Sequence, residues 1–153
     1  MSFSKIDLPS LFSVLSLLIN ILIGFLYRNE MPISKDIGIG IVFFGVLFFV
    51  YALLYLRSGF LGETEPKLEF LITKGPYRFC RHPLYLSFIT MILGFDLAFR
   101  SIAAIVFTVA LSIPALMHRA RVEDRLLAKK FGKEWENYAN RVGFLFPKLR
   151  KRR

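Results

Sequence analysis

The sequence GPYRFCRHPLY, residues 75–85, leads into an apolar run at residues 84–99. A second charged stretch, RARVED at residues 119–124, follows the next apolar run, residues 102–117. Only Arg100 and Ser101 separate the two runs, so we interpret them as helices of a tight hairpin. The outer ends of a hairpin lie together, so both charged stretches meet one membrane face, where ionisable groups are costly and usually functional.

Apolar residues dominate the rest of the chain as well. They make up 55% of its 153 residues. Two further runs, residues 8–27 and 37–56, are each about 20 residues long, which is enough to span a bilayer core of about 30 Å. The hairpin runs are shorter and would thin the bilayer locally or continue beyond it. We therefore predict an all-α membrane protein with four transmembrane helices, the last two forming the hairpin.

Basic residues set the predicted orientation. The net charge is +10, and twelve of the 21 Lys and Arg residues follow His118, whereas residues 28–36 balance two basic against two acidic residues. The positive-inside rule then places the loop at 57–82, the tail and both termini in the cytoplasm. A basic tail could bind nucleic acid. Beside transmembrane helices it fits anionic lipid headgroups better, so we expect anionic membrane lipids and no nucleic acid as partners.

The tail itself predicts a cytoplasmic amphipathic helical segment. Apolar residues recur there at helical spacing with basic residues between them, and Gly132 is a typical stop. A second short helix would hold Trp135 and Tyr138. The whole chain, 1–153, is interpreted as one domain: two N-terminal helices in residues 1–56, then the loop, hairpin and C-terminal segment in residues 57–153.

Polar residues share one face of the first predicted helix. Ser13, Ser16 and Asn20 are spaced i, i+3, i+7. We interpret them as hydrogen-bonding groups between helices, with the lining of a substrate groove as the alternative. The i, i+4 spacing of Asp96 and Arg100 predicts an ion pair near the far end of the third helix.

Two residue types predict how the second and fourth helices are shaped. Glycine allows close packing of the second helix, at Gly38, Gly40 and Gly45. Pro114 removes a backbone donor from the fourth helix and predicts a kink.

The loop before the hairpin has the features of an anion site. Pro83 stands where a helix would begin, and the free N–H groups of that helix start would face the loop together with Arg81 and His82. Tyr77 and Tyr85 supply ring faces suited to a flat base or a cation. The alternative is that these residues are only interfacial anchors.

The second charged stretch adds a carboxylate. Arg119 and Glu123 are spaced i, i+4, and alone they would be an ordinary surface ion pair. Combined with the loop, they predict a site for a zwitterionic, partly aromatic and cationic ligand. Cys80, His82 and His118 match no zinc pattern, so we expect no metal site. No glycine-rich dinucleotide motif or P-loop occurs, so a nucleotide-like cofactor would need another kind of site.

These motifs resemble those of the integral-membrane isoprenylcysteine carboxyl methyltransferase and phospholipid methyltransferase group. The signature is Gly-x-Tyr-x-x-x-Arg-His-Pro-x-Tyr, a hairpin, Arg-x-x-x-Glu-[Glu/Asp] and Phe-Gly-x-x-[Tyr/Trp]-x-x-Tyr. The matching residues are Gly75, Tyr77, Arg81, His82, Pro83, Tyr85, Arg119, Glu123, Asp124, Phe131, Gly132, Trp135 and Tyr138. Departures are Glu69 in place of a histidine, Asp124 in place of a second glutamate, and Val142-Gly143 in place of Val-Pro.

The resemblance implies S-adenosylmethionine as the cofactor, held at the cytoplasmic membrane face. The residues implied to contact it are Glu69, Phe70, Leu71, Ile72, Tyr77, His82, Pro83, Leu84, Tyr85 and Glu123. Arg119 falls where the group has a substrate-contacting arginine, and we assign it the catalytic role. Glu123 would hold the cofactor's ammonium, and the helix start with His82 its anionic end.

The predicted reaction is methyl transfer to a membrane-embedded, lipid-like acceptor, with the carboxylate of a prenylated cysteine or an analogue preferred. The first alternative is N-methylation of a phospholipid amine. The others are a non-enzymatic membrane protein that binds anionic lipid, and a distant membrane reductase that uses a nicotinamide cofactor.

Overall fold

The computed structural model describes residues 8–58 and 71–148. Within them the chain is all-helical, with five helices and no strand, which confirms the predicted class. The helices are α1 (Leu8–Leu26), α2 (Lys35–Ser58), α3 (Pro83–Phe99), α4 (Ile102–Phe131) and α5 (Lys133–Arg141). A short 3-10 turn, Gly75–Arg78, precedes α3.

The connection between α3 and α4 is the tight turn that the sequence predicts. Helix α3 begins at Pro83 and ends at Phe99. Arg100 caps it in a left-handed conformation (φ 59°), and its N–H bonds back to the Asp96 carbonyl. The Ser101 side chain then accepts a hydrogen bond from the Ala104 N–H, which caps the start of α4. The two helices therefore form the predicted hairpin.

Helix α4 absorbs the effect of Pro114 without ending. The residues just before the proline form a π turn, Thr108–Ser112, in which the Ile113 N–H bonds to the Thr108 carbonyl five residues earlier. Such a turn accommodates a missing backbone donor within a continuous helix. The fourth apolar run and the amphipathic segment, predicted as separate helices, are thus one helix, which ends at Gly132 as predicted.

Glycines bring α2 and α3 into close contact. A Cβ on Gly38 would lie 2.6 Å from the Gly94 carbonyl oxygen of α3, and one on Gly45 would lie 2.6 Å from Met91 Cγ. The close packing predicted for these two residues is confirmed. The prediction for Gly40 is wrong, because no atom of the described residues lies within 4 Å of a Cβ built there.

The outer surface of the helices is strongly apolar. Leu18 on α1 is 60% exposed, and Phe43 and Phe44 on α2 are 64% and 63% exposed. Two helical segments are long and apolar enough to cross a membrane, Lys35–Leu56 and Ile102–Phe131, whereas α1 and α3 contain shorter apolar helices. An exposed apolar surface of this extent indicates membrane association.

The predicted ion pair between Asp96 and Arg100 is wrong. Asp96 is buried and accepts hydrogen bonds from Asn20 Nδ2 at 2.8 Å and from Thr108 Oγ1 at 2.5 Å. Arg100 Nε instead donates to the Met31 carbonyl at 2.6 Å. Because Arg100 ends the helix in a left-handed conformation, its side chain leaves the face on which an i, i+4 pair would form.

Two of the three polar residues on α1 form hydrogen bonds to other helices, which is the interpretation that the sequence analysis favoured. Asn20 bonds to Asp96 of α3, and Ser13 Oγ lies 3.5 Å from the Ala115 carbonyl of α4. Ser16 Oγ instead donates to the Ser13 carbonyl within α1.

Candidate active site

A cavity of about 490 Å³, the main cavity, lies where α1, the 3-10 turn, the start of α3 and the middle of α4 meet. The structure brings seven of the predicted site residues to its wall: Tyr77, His82, Pro83, Leu84, Tyr85, Arg119 and Glu123. The loop with the start of α3 and the middle of α4 thus line one cavity, although their residues lie 34 to 46 positions apart in the sequence. The hairpin accounts for this, because it returns α4 to the level at which α3 began.

A smaller cavity of about 80 Å³, the side pocket, adjoins the main cavity. The two share four wall residues, Tyr77, Arg81, Leu84 and Glu123. The other walls of the side pocket include the predicted residues Leu71 and Ile72 and the aromatic residues Phe131, Trp135 and Tyr138. Glu69 and Phe70, also predicted, lie outside the described residues.

The two charged stretches are joined by a direct hydrogen bond. The Tyr85 hydroxyl donates to Glu123 Oε2 at 2.9 Å and also interacts with the Arg119 guanidinium. Tyr85 lies in the first turn of α3, and Arg119 and Glu123 occupy one face of α4. The carboxylate of Glu123 therefore has a fixed position beside the shared wall of the two cavities.

Asp124 contacts both Arg81 and His82 of the loop. Its Oδ2 lies 3.0 Å from Arg81 Nη1, and its Oδ1 lies 2.6 Å from His82 Nε2. His82 is only 3% exposed. The Asp124 carboxylate therefore offsets the positive charge of Arg81 beside the predicted anion site, and that site stays a prediction.

One buried donor of Arg81 has no partner in the part of the chain that the structure describes. The guanidinium lies over the rings of Trp135 and Phe144, 5.7 and 5.4 Å from their centroids. Its Nε is the buried atom that has no hydrogen-bond partner in residues 8–58 and 71–148. A buried unpaired N–H is costly, so this atom, on a residue that lines both cavities, is suited to an anionic group of a ligand.

The segment after α5 holds the loop in place. The Arg81 N–H donates to the Gly143 carbonyl at 2.8 Å, and the Tyr138 hydroxyl donates to the Tyr77 carbonyl at 2.7 Å. A Cβ on Gly143 would collide with the backbone of Phe146. This collision explains why residue 143 is a glycine, where the pattern that the motifs resemble has a proline.

Burial controls the protonation of the loop. It raises the pKa of Tyr77 above the ordinary value, and the nearby Glu123 carboxylate adds to the shift. Burial likewise raises the pKa of Tyr138. The pKa of the Cys80 thiol rises from 9.0 to about 11, although the His82 backbone N–H opposes the shift. These groups are therefore neutral at pH 7, and Cys80 is not an activated nucleophile.

Sequence reasoning placed Arg81 at the anion site without naming it as a cofactor contact, and it assigned no ligand contact to Trp135 or Tyr138. The last two belong to the signature by their i, i+3 spacing, but the tail alone does not show that α5 folds back on the loop. The tertiary structure shows the fold-back through the hydrophobic cluster of Trp135, Tyr138 and Val142, against which Leu71 packs.

Residues 34–134 match the family model described as phospholipid methyltransferase. The chain belongs to the phospholipid methyltransferase family. This membership confirms the resemblance that the motifs predicted. Together with the apolar helices, it indicates a membrane-associated protein of a methyltransferase family.

Two curated relatives in the comparison are named for metal resistance. The chain is 43% identical over 84 residues to the cobalt-zinc-cadmium resistance protein CzcN of Cupriavidus metallidurans, covering 52% of this chain and 36% of that protein. It is 40% identical over 82 residues to the nickel-cobalt-cadmium resistance protein NccN of Alcaligenes xylosoxydans xylosoxydans, covering 52% and 37%. The match thus spans little more than a third of each relative's length.

Proposed function

We propose that the protein transfers a methyl group from S-adenosylmethionine to a lipid-like acceptor in the membrane. The observation that carries the proposal is the bond between Tyr85 and Glu123 at the wall of the main cavity. It joins an aromatic ring and a carboxylate from separate motifs, and both line the same cavity as Arg81, whose buried Nε has no partner among the described residues. This set of groups suits a ligand that carries an ammonium, a carboxylate and an aromatic base.

The residues around the shared wall fit the cofactor. Glu123 would bind its ammonium and Arg81 Nε its carboxylate, while Tyr77 and Trp135 offer ring faces to the adenine. When bound, the cofactor supplies a methyl group already activated on a sulfonium. The protein then has to orient the reactants and exclude water, and it requires neither a nucleophilic side chain nor a metal.

The acceptor is proposed to enter from the membrane side. The main cavity continues between apolar residues, Val14 and Leu17 of α1 and Phe88 of α3, which suit a hydrocarbon chain. Arg119 would grip the polar end, and a guanidinium binds a carboxylate through two parallel hydrogen bonds. The carboxylate of a prenylated cysteine or an analogue is our preferred acceptor, because a carboxylate is itself the nucleophile and needs no base.

A phospholipid amine is the second candidate, and two observations favour it. One is the description of the family model, phospholipid methyltransferase. The other is the contact of His82 Nε2 with Asp124, which leaves Nδ1 of this cavity-lining imidazole as a possible proton acceptor. N-methylation releases a proton, and a histidine held by a carboxylate is a suitable general base.

The arrangement in the membrane is part of the proposal. We propose four membrane-spanning helices, with the active site and both termini on the cytoplasmic side. The basic tail would then lie against anionic lipid headgroups.

One labelling experiment separates the candidate reactions. The purified full chain is incubated with methyl-labelled S-adenosylmethionine and either a prenylcysteine analogue or phosphatidylethanolamine. Base-labile label on the prenylcysteine supports the carboxylate, and base-stable label on the lipid favours the amine. No label on either, with no cofactor binding by folded protein, would reject methyl transfer. Displacement of bound cofactor by NADPH would point to a reductase.

The role of Arg119 is tested separately. Arg119→Ala should reduce turnover at least tenfold and leave cofactor affinity within about threefold, because the guanidinium is assigned to the acceptor. Arg121→Ala, an exposed arginine on the same helix, is the matched control and should change neither quantity. Loss of cofactor binding in Arg119→Ala would instead place Arg119 in the cofactor site.

A further inference from the structure

A third cavity of about 200 Å³, which we name the inner cavity, lies between α1 and α3. It shares Leu17 and Phe88 with the main cavity, so the two are neighbours along the same helix seam. Most of its wall is apolar, with Met91 and Phe95 among its residues. Two polar residues, Asn20 and Asp96, also line it.

The polar pair leaves one atom without a hydrogen bond. Asn20 Nδ2 donates to Asp96 Oδ1 at 2.8 Å, and Thr108 Oγ1 donates to Asp96 Oδ2 at 2.5 Å. These bonds direct the amide nitrogen towards Asp96. The amide oxygen, Asn20 Oδ1, is buried and has no partner among the described residues, and the residue as a whole is only 2% exposed.

An unpaired buried carbonyl is costly, so a group that donates one hydrogen bond should be favoured there. A water molecule usually needs two to four polar partners, and a mostly apolar wall offers it few. A ligand with an apolar body and a single hydroxyl meets both conditions, since its body fills the cavity and its O–H reaches the amide oxygen.

We propose that the inner cavity is a binding site for an aliphatic alcohol, whose hydroxyl donates to Asn20 Oδ1. The ligand could be a free alcohol or the hydroxylated end of a longer lipid chain that enters through the main cavity. In both cases an apolar body fills the cavity and a hydroxyl donates to the amide oxygen. The site does not depend on the methyl-transfer reaction, because none of its polar groups belongs to the proposed cofactor site.

Photolabelling tests the site directly. The full chain in detergent is labelled with a diazirine-bearing octanol and, at equal micellar concentration, with the matching diazirine octane. Mass spectrometry then maps the labelled peptides. We expect the alcohol to label the α1 and α3 residues around the inner cavity at least fivefold more than the alkane, and unlabelled 1-octanol to compete. Equal labelling by the two probes, or labelling elsewhere, would overturn the proposal.

Variants isolate the role of the amide oxygen. Asn20→Leu keeps a similar side-chain size but removes the acceptor. The alcohol and the alkane probes should therefore label this variant equally. Because this change could also disturb folding, Ile92→Phe serves as a second variant, which fills the cavity and leaves the polar bonds intact. It should abolish labelling by both probes. Leu111→Phe on the exposed face of α4 is the matched control and should label like the original protein.

The two ligand sources are distinguished by a longer probe. A sixteen-carbon alcohol with the diazirine near its hydroxyl should label the same peptides if a chain end can reach the inner cavity. Leu17→Trp narrows the passage between the cavities, so it should block this probe and spare the octanol probe. If only octanol labels the original protein, the ligand is a free alcohol. If neither labels these peptides, no alcohol site exists there.

Discussion

Replacing Glu123 by glutamine removes one negative charge and almost no volume. The amide oxygen can still accept the hydrogen bond from Tyr85, which spans 2.9 Å in the structure, so the local fold should survive. The lost interaction is the one proposed with the cofactor's ammonium. Hydrogen bonds to charged groups contribute about 1.5–3 kcal/mol. Glu123 is exposed to solvent before binding, so the lower end of that range applies.

A loss of about 1.5 kcal/mol corresponds to a roughly tenfold weaker affinity. Isothermal titration calorimetry with S-adenosylmethionine and with S-adenosylhomocysteine, on protein in detergent, measures it. Both compounds carry the ammonium, so both affinities should fall by a similar factor. Glu134→Gln, an exposed acid on α5, is the matched control. Unchanged affinity in folded Glu123→Gln, or an equal loss in the control, would refute the assignment.

Three further predictions concern packing, hydrogen bonding and protonation. Gly38→Ala should lower the melting temperature by several degrees because its Cβ would press against α3, whereas Gly40→Ala, with open space around it, should not. Tyr138→Phe leaves the buried Tyr77 carbonyl without its donor and should cost about 1–3 kcal/mol in the free energy of unfolding, measured by denaturant titration. Cys80, the single cysteine, has its pKa raised from 9.0 to about 11, so at pH 8 iodoacetamide should alkylate the folded protein about a hundredfold more slowly than the unfolded chain. The folded rate should then rise about tenfold per pH unit up to pH 10, as the thiolate forms. A folded rate equal to the unfolded one would show that the thiol is not buried.

Much of the architecture follows from local sequence. The apolar runs predict α1, α2 and α3 closely because a helix that faces lipid must be apolar along its whole length. Pro83 and Gly132 mark a helix start and a helix end through backbone chemistry that depends little on the rest of the fold. The motif residues were also identifiable, since their types and spacing are those of a family to which the chain belongs.

Hydrogen-bond and ion-pair partners that lie far apart in the sequence could not be predicted from local patterns. The i, i+4 rule assigned Asp96 to Arg100, but its partners are Asn20 and Thr108, which approach only when α1 and α4 pack on α3. In the same way, Asp124 was interpreted as one element of a motif, and the structure shows it bound to Arg81 and His82 across the hairpin.

Local patterns identify which residues are helical, which are apolar and which could carry charge at a membrane face. The places where those charges are neutralised, and where they remain available to a ligand, depend on how the helices pack. Packing pairs Asp124 with the loop. Among the described residues it leaves Arg81 Nε unbonded at the wall of two cavities and Asn20 Oδ1 unbonded beside a third. Hydrogen bonds and ion pairs act over about 3 Å, so a partner is defined by the packing of helices and not by distance along the chain.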